Sequence, residues 1–221
     1  MDKLFGENGV FRPYIGCDES GKGDYFGPLV VAAAAVETAA ELGRLVELGA
    51  RDSKKVGDAR AETLAGDIKR AVRTRSLTLE PERYNELYDE LGNLNQILAW
   101  AYAQVIDGLA AEASSCELVV VDKFGDEGYL QTAASAVGAE YGLYQVTGAE
   151  EYPAVAAASI IARAEFLRGL KSLSADLGFD LPKGATDVIN VGRLIAEEFG
   201  SAKLDEVAKL HFKTTRQILD S

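Results

Sequence analysis

The 221-residue chain is predicted to be an α/β protein: a mixed central sheet flanked by helices, with a helical C-terminal region. Three observations predict it. Short apolar runs of strand type recur along the chain, segments with helical spacing lie between them, and the stretch from Ala185 to Ser221 reads as two or three short helices.

The elements follow in order. Tyr14 to Asp18 and Pro28 to Val36 form a hairpin-like opening of two strands, the second an unbroken run of small and branched apolar residues. Ala59 to Val72 places Leu64, Ile68 and Val72 four apart, on one face of a helix. Arg75 to Leu79 is a third strand. Asn95 to Ala113 is a long helix with Ile97, Ala101, Val105 and Leu109 in register. Glu117 to Asp122 is a fourth strand, Gly125 to Val137 a shorter helix, and Tyr141 to Val146 a fifth strand. Pro153 to Leu173 begins a helix with proline in its first turn. Its block Ala156-Ala157-Ala158-Ser159 is small enough to let the helix pack closely against a sheet. A turn at Pro182-Lys183-Gly184 precedes the last helices. No repeat, low-complexity linker or boundary interrupts the chain, so a single domain over residues 1–221 is expected, with a C-terminal helical appendage from about residue 185.

Composition narrows the class. With 48% hydrophobic and 26% charged residues, the chain can bury a proper core. No apolar stretch approaches the roughly 20 residues of a membrane span. Met1-Asp2-Lys3-Leu4-Phe5 lacks a secretory pattern. Cys17 and Cys116 each sit in an apolar, strand-like run, which predicts reduced, buried thiols. A cytoplasmic protein with no membrane partner is expected. Thirty-five acids against 23 lysines and arginines give a net charge of −12, whereas a nucleic-acid binder usually shows a basic footprint. Much of the acid falls on predicted helix surface (Glu37 to Glu47, Glu80 to Glu90, Glu197 to Glu206).

The most informative segment is Tyr14 to Val31. It enters as a strand, ends in Asp18 and Glu19, and turns through Ser20-Gly21-Lys22-Gly23 before the second strand. Two acids at the tip of a buried strand are costly unless a cation or a donor network compensates them. A glycine-flanked lysine beside them offers backbone N–H groups and a positive charge, which suits a phosphate next to a metal. Asp122 closes the apolar strand Leu118-Val119-Val120-Val121, where an α/β fold places its chemistry. Glu150 or Glu151, just before Pro153, is a fourth candidate. Taken singly, these acids have plain explanations as helix caps or dipole partners. Together they suit two divalent ions about 3.5–4 Å apart in a phosphodiester site. An oxygen-only donor set points to Mg2+ or Mn2+ and away from zinc. The one histidine, His211, reads as a packing or substrate-edge residue. The Walker pattern fails, because Lys22 is followed by glycine where serine or threonine is needed.

The segment Asp18-Glu19-Ser20-Gly21-Lys22-Gly23-Asp24-Tyr25-Phe26-Gly27-Pro28-Leu29-Val30 resembles the motif of type 2 ribonucleases H. Its Gly-Lys-Gly form is similar to the ribonuclease HIII branch; the HII branch usually has Gly-Arg-Gly. Further matching blocks run in the family's order from about Tyr14 to about Thr215. They are Asp52-Ser53-Lys54-Lys55, Asn93-Leu94-Asn95 with Ala99-Trp100, Val121-Asp122-Lys123-Phe124, Ala156 to Arg163, Leu181 to Ala185, and Lys209 to Lys213.

The resemblance implies a ribonuclease-H-like fold and an endonuclease that cuts the RNA strand of an RNA–DNA hybrid, leaving 3′-hydroxyl and 5′-phosphate ends. It implies Asp18, Glu19 and Asp122 as catalytic and metal-binding acids. The fourth acid maps to Glu150 if one residue is deleted before Pro153, with Glu151 as its competitor. It implies Ser20, Gly21, Lys22 and Gly23 as the turn that senses the ribose 2′-hydroxyl, the atom that tells RNA from DNA. Lys54 and Lys55 are implied phosphate contacts, and Arg163, Lys183 and Lys213 a backbone-contacting rim. Two departures shape the expectation. Only 13 residues precede Tyr14, leaving no room there for the substrate-binding domain that ribonuclease HIII proteins carry. Between Leu170 and Thr186 there is no match to the Gly-Tyr segment with which the HII branch recognises a single ribonucleotide. Weak, salt-sensitive binding, helped by a protein partner, is therefore expected, with cleavage of RNA stretches and poor incision at a lone ribonucleotide. The alternatives are ribonuclease HII-like incision at single embedded ribonucleotides and a non-catalytic hybrid-binding module.

Overall fold

The computed structural model describes residues 11–50, 56–123, 125, 127–136, 141–185 and 187–220. Five strands form one mixed sheet in the order β3-β2-β1-β4-β5, with β1 Tyr14–Ser20, β2 Leu29–Val36, β3 Thr74–Leu79, β4 Leu118–Asp122 and β5 Gly142–Val146. β1 pairs in parallel with β4, and β4 with β5. All five expected strands are present, each within two residues of its predicted ends. The helices are α1 Ala39–Glu47, α2 Asp58–Ala71, α3 Pro81–Leu91, α4 Leu94–Glu112, α5 Glu127–Ala136, α6 Pro153–Leu177, α7 Ile189–Phe199, α8 Lys203–Val207 and α9 Lys213–Leu219. A 3-10 turn, Ala149–Glu151, lies between β5 and α6. No helix among the described residues is long and apolar enough to cross a membrane.

The chain divides into two compact units, each discontinuous in sequence. The first comprises Met1–Glu19, Val31–Leu77 and Asn95–Ala164. Its core is the sheet and the helices against it. β2 is buried at every position, as a strand of only small and branched apolar residues should be when both its faces are covered. α4 buries Ile97, Ala101, Val105 and Leu109, the predicted face, together with Leu98, Tyr102 and Ile106. α6 enters at the point of closest approach. A Cβ on Gly16 of β1 would lie 2.3 Å from the Val155 nitrogen, so only glycine lets helix and strand meet there. The Ala154 N–H donates to the Tyr14 hydroxyl at 3.1 Å, and Ala154, Ala156, Ala157 and Ala158 are fully buried. α1 opens with a capping box, Thr38 accepting from the Glu41 N–H and Glu41 accepting from the Thr38 N–H. Cys17 and Cys116 are buried free thiols, as the sequence predicts.

The second unit comprises Ser20–Val30, Thr78–Leu94 and Glu165–Ser221. The C-terminal helices, expected as an appendage, group here with the loop after β1 and with α3. The physical reason is a buried polar core. Asn85 of α3 donates to Asp205 and to the Ala208 carbonyl (2.9 Å), and accepts from the Leu210 N–H (2.9 Å). The loop is laced to the C-terminal segment: Gly27 N–H to Val207 O (3.0 Å), Lys209 N–H to Tyr25 O (2.8 Å) and Tyr25 N–H to Gly184 O (2.8 Å). Lys209 is fully buried, and its ammonium donates to the carbonyls of Gly27 and Pro28. Burial holds its pKa down to about 7, against the opposing pull of Asp24 and Glu80.

Candidate active site

The parallel pairing of β1 and β4 sets the site. Cys17 lies opposite Val121, so the next residues, Asp18 and Asp122, stand at the same ends of neighbouring strands. Parallel strands present their C-terminal ends on one side of a sheet, which is why two acids a hundred residues apart become neighbours. Glu19 follows Asp18 on β1.

Each of the three carboxylates has a donor. Asp18 accepts from the Glu19 N–H at 2.8 Å and is hydrogen-bonded to the Ser159 side chain of α6. Glu19 accepts from the hydroxyl of Tyr102, on α4. Asp122 accepts from the Ala149 N–H at 3.0 Å, which ties the 3-10 turn to the end of β4. Glu150 is the next residue in that turn; it is half-buried, whereas Glu151 is exposed. The turn is entered through Gly148 at a φ of 72°, a conformation that favours glycine.

Electrostatics single out Asp18. Burial pushes its pKa up to about 7, and the charges of Glu19 and Asp122 push in the same direction, against the Ser159 and Glu19 hydrogen bonds. A set of half-buried acids with oxygen-only donors suits a hard divalent cation, which would offset the burial and the repulsion that raise Asp18. Among the described residues, no three His, Cys, Asp or Glu side chains already surround one point as a bound ion requires. The donor set fits Mg2+ or Mn2+ in the chemistry of its oxygen donors, while its side chains are not gathered around a single point.

The turn after Glu19 separates its two glycines. Gly21 has a φ of 87°, and a Cβ there would meet the Pro28 oxygen at 2.2 Å and the Phe166 ring at 2.8 Å. Gly21 is thus required by the fold. A Cβ on Gly23 would meet nothing within 4 Å, and its backbone needs no positive φ. Nothing in the packing explains that glycine. The Asp24 N–H bonds to Gly21 O at 3.3 Å, and the Asp24 carboxylate accepts from the Gly184 N–H at 2.7 Å.

Lys54 and Lys55 lie outside the described residues. Lys22 is half-buried in the turn, and Lys183 is exposed beside Gly184. Arg163 bonds Asp58 through Nε (3.1 Å) and Val56 O through Nη1 (2.7 Å), so its observed partners lie within the protein, at the start of α2. Lys213 is exposed at the start of α9. His211 is half-buried, stacked on Tyr88 at 4.6 Å and bonded to the Tyr84 hydroxyl at 3.2 Å through Nδ1. Burial, then Lys209, bring its pKa down to about 4, so it is a neutral packing residue. Sequence reasoning missed Tyr102 as a partner of Glu19. Its only signal was a polar hydroxyl on an otherwise apolar helix face.

Comparisons with known proteins place the chain in a family and bear out its fold. The family model described as Ribonuclease HII matches residues 15–215. A curated relative named Ribonuclease HIII, from Protochlamydia amoebophila, is 39% identical over 208 residues, covering 94% of this chain and 68% of the relative. The crystal structure of Bst-RNase HIII in complex with Mn2+ superposes with a TM-score of 0.89 at 30% identity, over 99% of this chain and 71% of that one. Aquifex aeolicus RNase H3 superposes with a TM-score of 0.73 at 33% identity, over 90% of this chain and 72% of that one.

Proposed function

The chain belongs to the ribonuclease HII family, and from that premise we propose that it is an endoribonuclease that cleaves the RNA strand of RNA–DNA hybrids. The observation that carries this reading is the set of acids Asp18, Glu19 and Asp122 at the ends of neighbouring parallel strands, inside the stretch the family model matches. The products are a 3′-hydroxyl and a 5′-phosphate. In this reading Asp18, Glu19, Asp122 and Glu150 hold Mg2+ or Mn2+, two ions in the working complex. When bound, such ions lower the pKa of a water and neutralise charge on the leaving oxygen. The protein's part is to hold its acids ready: Ser159 fixes Asp18, Tyr102 fixes Glu19, and the Ala149 N–H fixes Asp122.

Ser20, Gly21, Lys22 and Gly23 form the element that reads the substrate. The space beside Gly23 lets a ribose approach the backbone, where a 2′-hydroxyl can both donate and accept. Lys22, Lys54, Lys55 and Lys183 supply charge to phosphates. A net charge of −12 makes such local cations the whole of the electrostatic attraction, so a protein partner that adds substrate affinity belongs to the proposal, as does a cytoplasmic location.

The test is cleavage of an end-labelled RNA–DNA hybrid and of a duplex with one ribonucleotide, with Mg2+, with Mn2+ and with chelator. Cutting of the hybrid is expected only with metal, with much poorer incision at the single ribonucleotide. Asp122→Asn is expected to lower the rate by more than about a hundredfold. Metal-independent cutting, or a native rate in Asp122→Asn, overturns the reading.

A further inference from the structure

We propose that Tyr102 is a positioning residue for Glu19: its buried hydroxyl fixes the carboxylate that is to hold a divalent cation. The inference rests on Glu19 being a metal ligand, as proposed above. Tyr102 sits in the middle of α4 with no exposed surface, among apolar neighbours of the same helix. A buried hydroxyl needs a partner, and here it donates to Glu19 Oε2.

Glu19 needs such a hold more than its neighbours do. Asp122 is held by a main-chain amide, and Asp18 by an adjacent amide and Ser159. Both are short side chains on strands. Glutamate has one more rotatable bond, and fixing it costs rotamer entropy. A donor from a rigid helix does this before the ion arrives, as partners of metal-ligating carboxylates do generally. Tyr102 and Glu19 are 83 residues apart, so only the packing of α4 against β1 makes the pair.

The test is calorimetric titration of Mn2+ alone into the native protein and into Tyr102→Phe, Tyr102→His and Glu19→Gln, beside kcat and KM on the hybrid and urea unfolding without metal. Tyr102→Phe keeps the ring and is expected to stay folded, with Mn2+ affinity lowered about tenfold or more. Its kcat falls and its KM for the hybrid stays within twofold of native. Tyr102→His retains a ring N–H and recovers part of the affinity. An affinity within twofold of native in Tyr102→Phe, or equal losses in Tyr102→Phe and Tyr102→His, overturns the proposal. Glu19→Gln separates the two levels. If it binds Mn2+ and cuts like the native protein, the assignment of Glu19 as a ligand fails. If it is impaired while Tyr102→Phe is native-like, only the role of Tyr102 fails.

Discussion

Asp18 carries the strongest electrostatic signature of the described carboxylates, and it gives a pH dependence with an unusual sign. An ordinary aspartate titrates near 3.8, but burial and two neighbouring acids lift Asp18 to about 7. Between those values the folded, metal-free protein holds a proton that the unfolded chain has released. Its contribution is therefore full at and below the unfolded value, and it is lost as pH rises through about 7. The size is on the order of a few kcal/mol. Urea midpoints of the metal-free protein between pH 4.5 and 8 are expected to fall with pH more steeply than those of Asp18→Asn. Equal slopes would show that the native state does not hold that proton. The acids themselves were legible in the sequence, because an acid ending an apolar strand is conspicuous. Their donors were not: a hydroxyl on α4, a serine on α6 and an amide after β5 acquire meaning only through long-range packing. Lys209 is the sharper case. In sequence it is one lysine among many, yet it is fully buried beneath the loop it holds.

At the scale of elements, the turn after β1 separates roles that its sequence makes look alike. Gly21 and Gly23 flank one lysine in a symmetrical pattern. Gly21→Ala brings a Cβ to 2.2 Å from the Pro28 oxygen at a φ of 87°, and is expected to destabilise the protein by several kcal/mol (about 2–4). Gly23→Ala meets open space and should leave the urea midpoint unchanged. The same Gly23→Ala change is expected to raise KM for the hybrid severalfold, because the added methyl occupies the approach to the backbone. A native KM would assign Gly23 to chain flexibility alone. Strands and long helices were legible because their apolar periodicity records which face is buried. α6 runs four residues beyond its predicted end, since the tail Ser174 to Leu177 carries a mixed surface pattern with no stop signal before Gly178. The 3-10 turn at Ala149–Glu151 was not foreseen, because three residues hold no periodicity.

At the scale of the whole molecule, charge decides how the chain meets a polyanion. With −12 overall, attraction to a hybrid depends on a few lysines, and each phosphate contact releases counterions. KM for the hybrid is expected to rise about tenfold or more between 50 and 200 mM salt, with kcat little changed. A salt-independent KM would remove the phosphate-contact role from Lys22, Lys54, Lys55 and Lys183. The chain spans 68–71% of the length of its curated ribonuclease HIII relatives, and the similarity covers nearly all of it. What the sequence determined by itself was the α/β class, the strand order along the chain and the position of three acids, Asp18, Glu19 and Asp122, toward the ends of apolar strands, because burial period is written locally. Tertiary structure alone decided which donor holds which acid, why Gly21 and Gly23 differ, and that Lys209 lies in the interior. Most of those outcomes depend on contacts across the chain, 27 positions apart for Ala149 and Asp122, 83 for Tyr102 and Glu19 and 182 for Lys209 and Gly27, and no local pattern encodes a contact of that range.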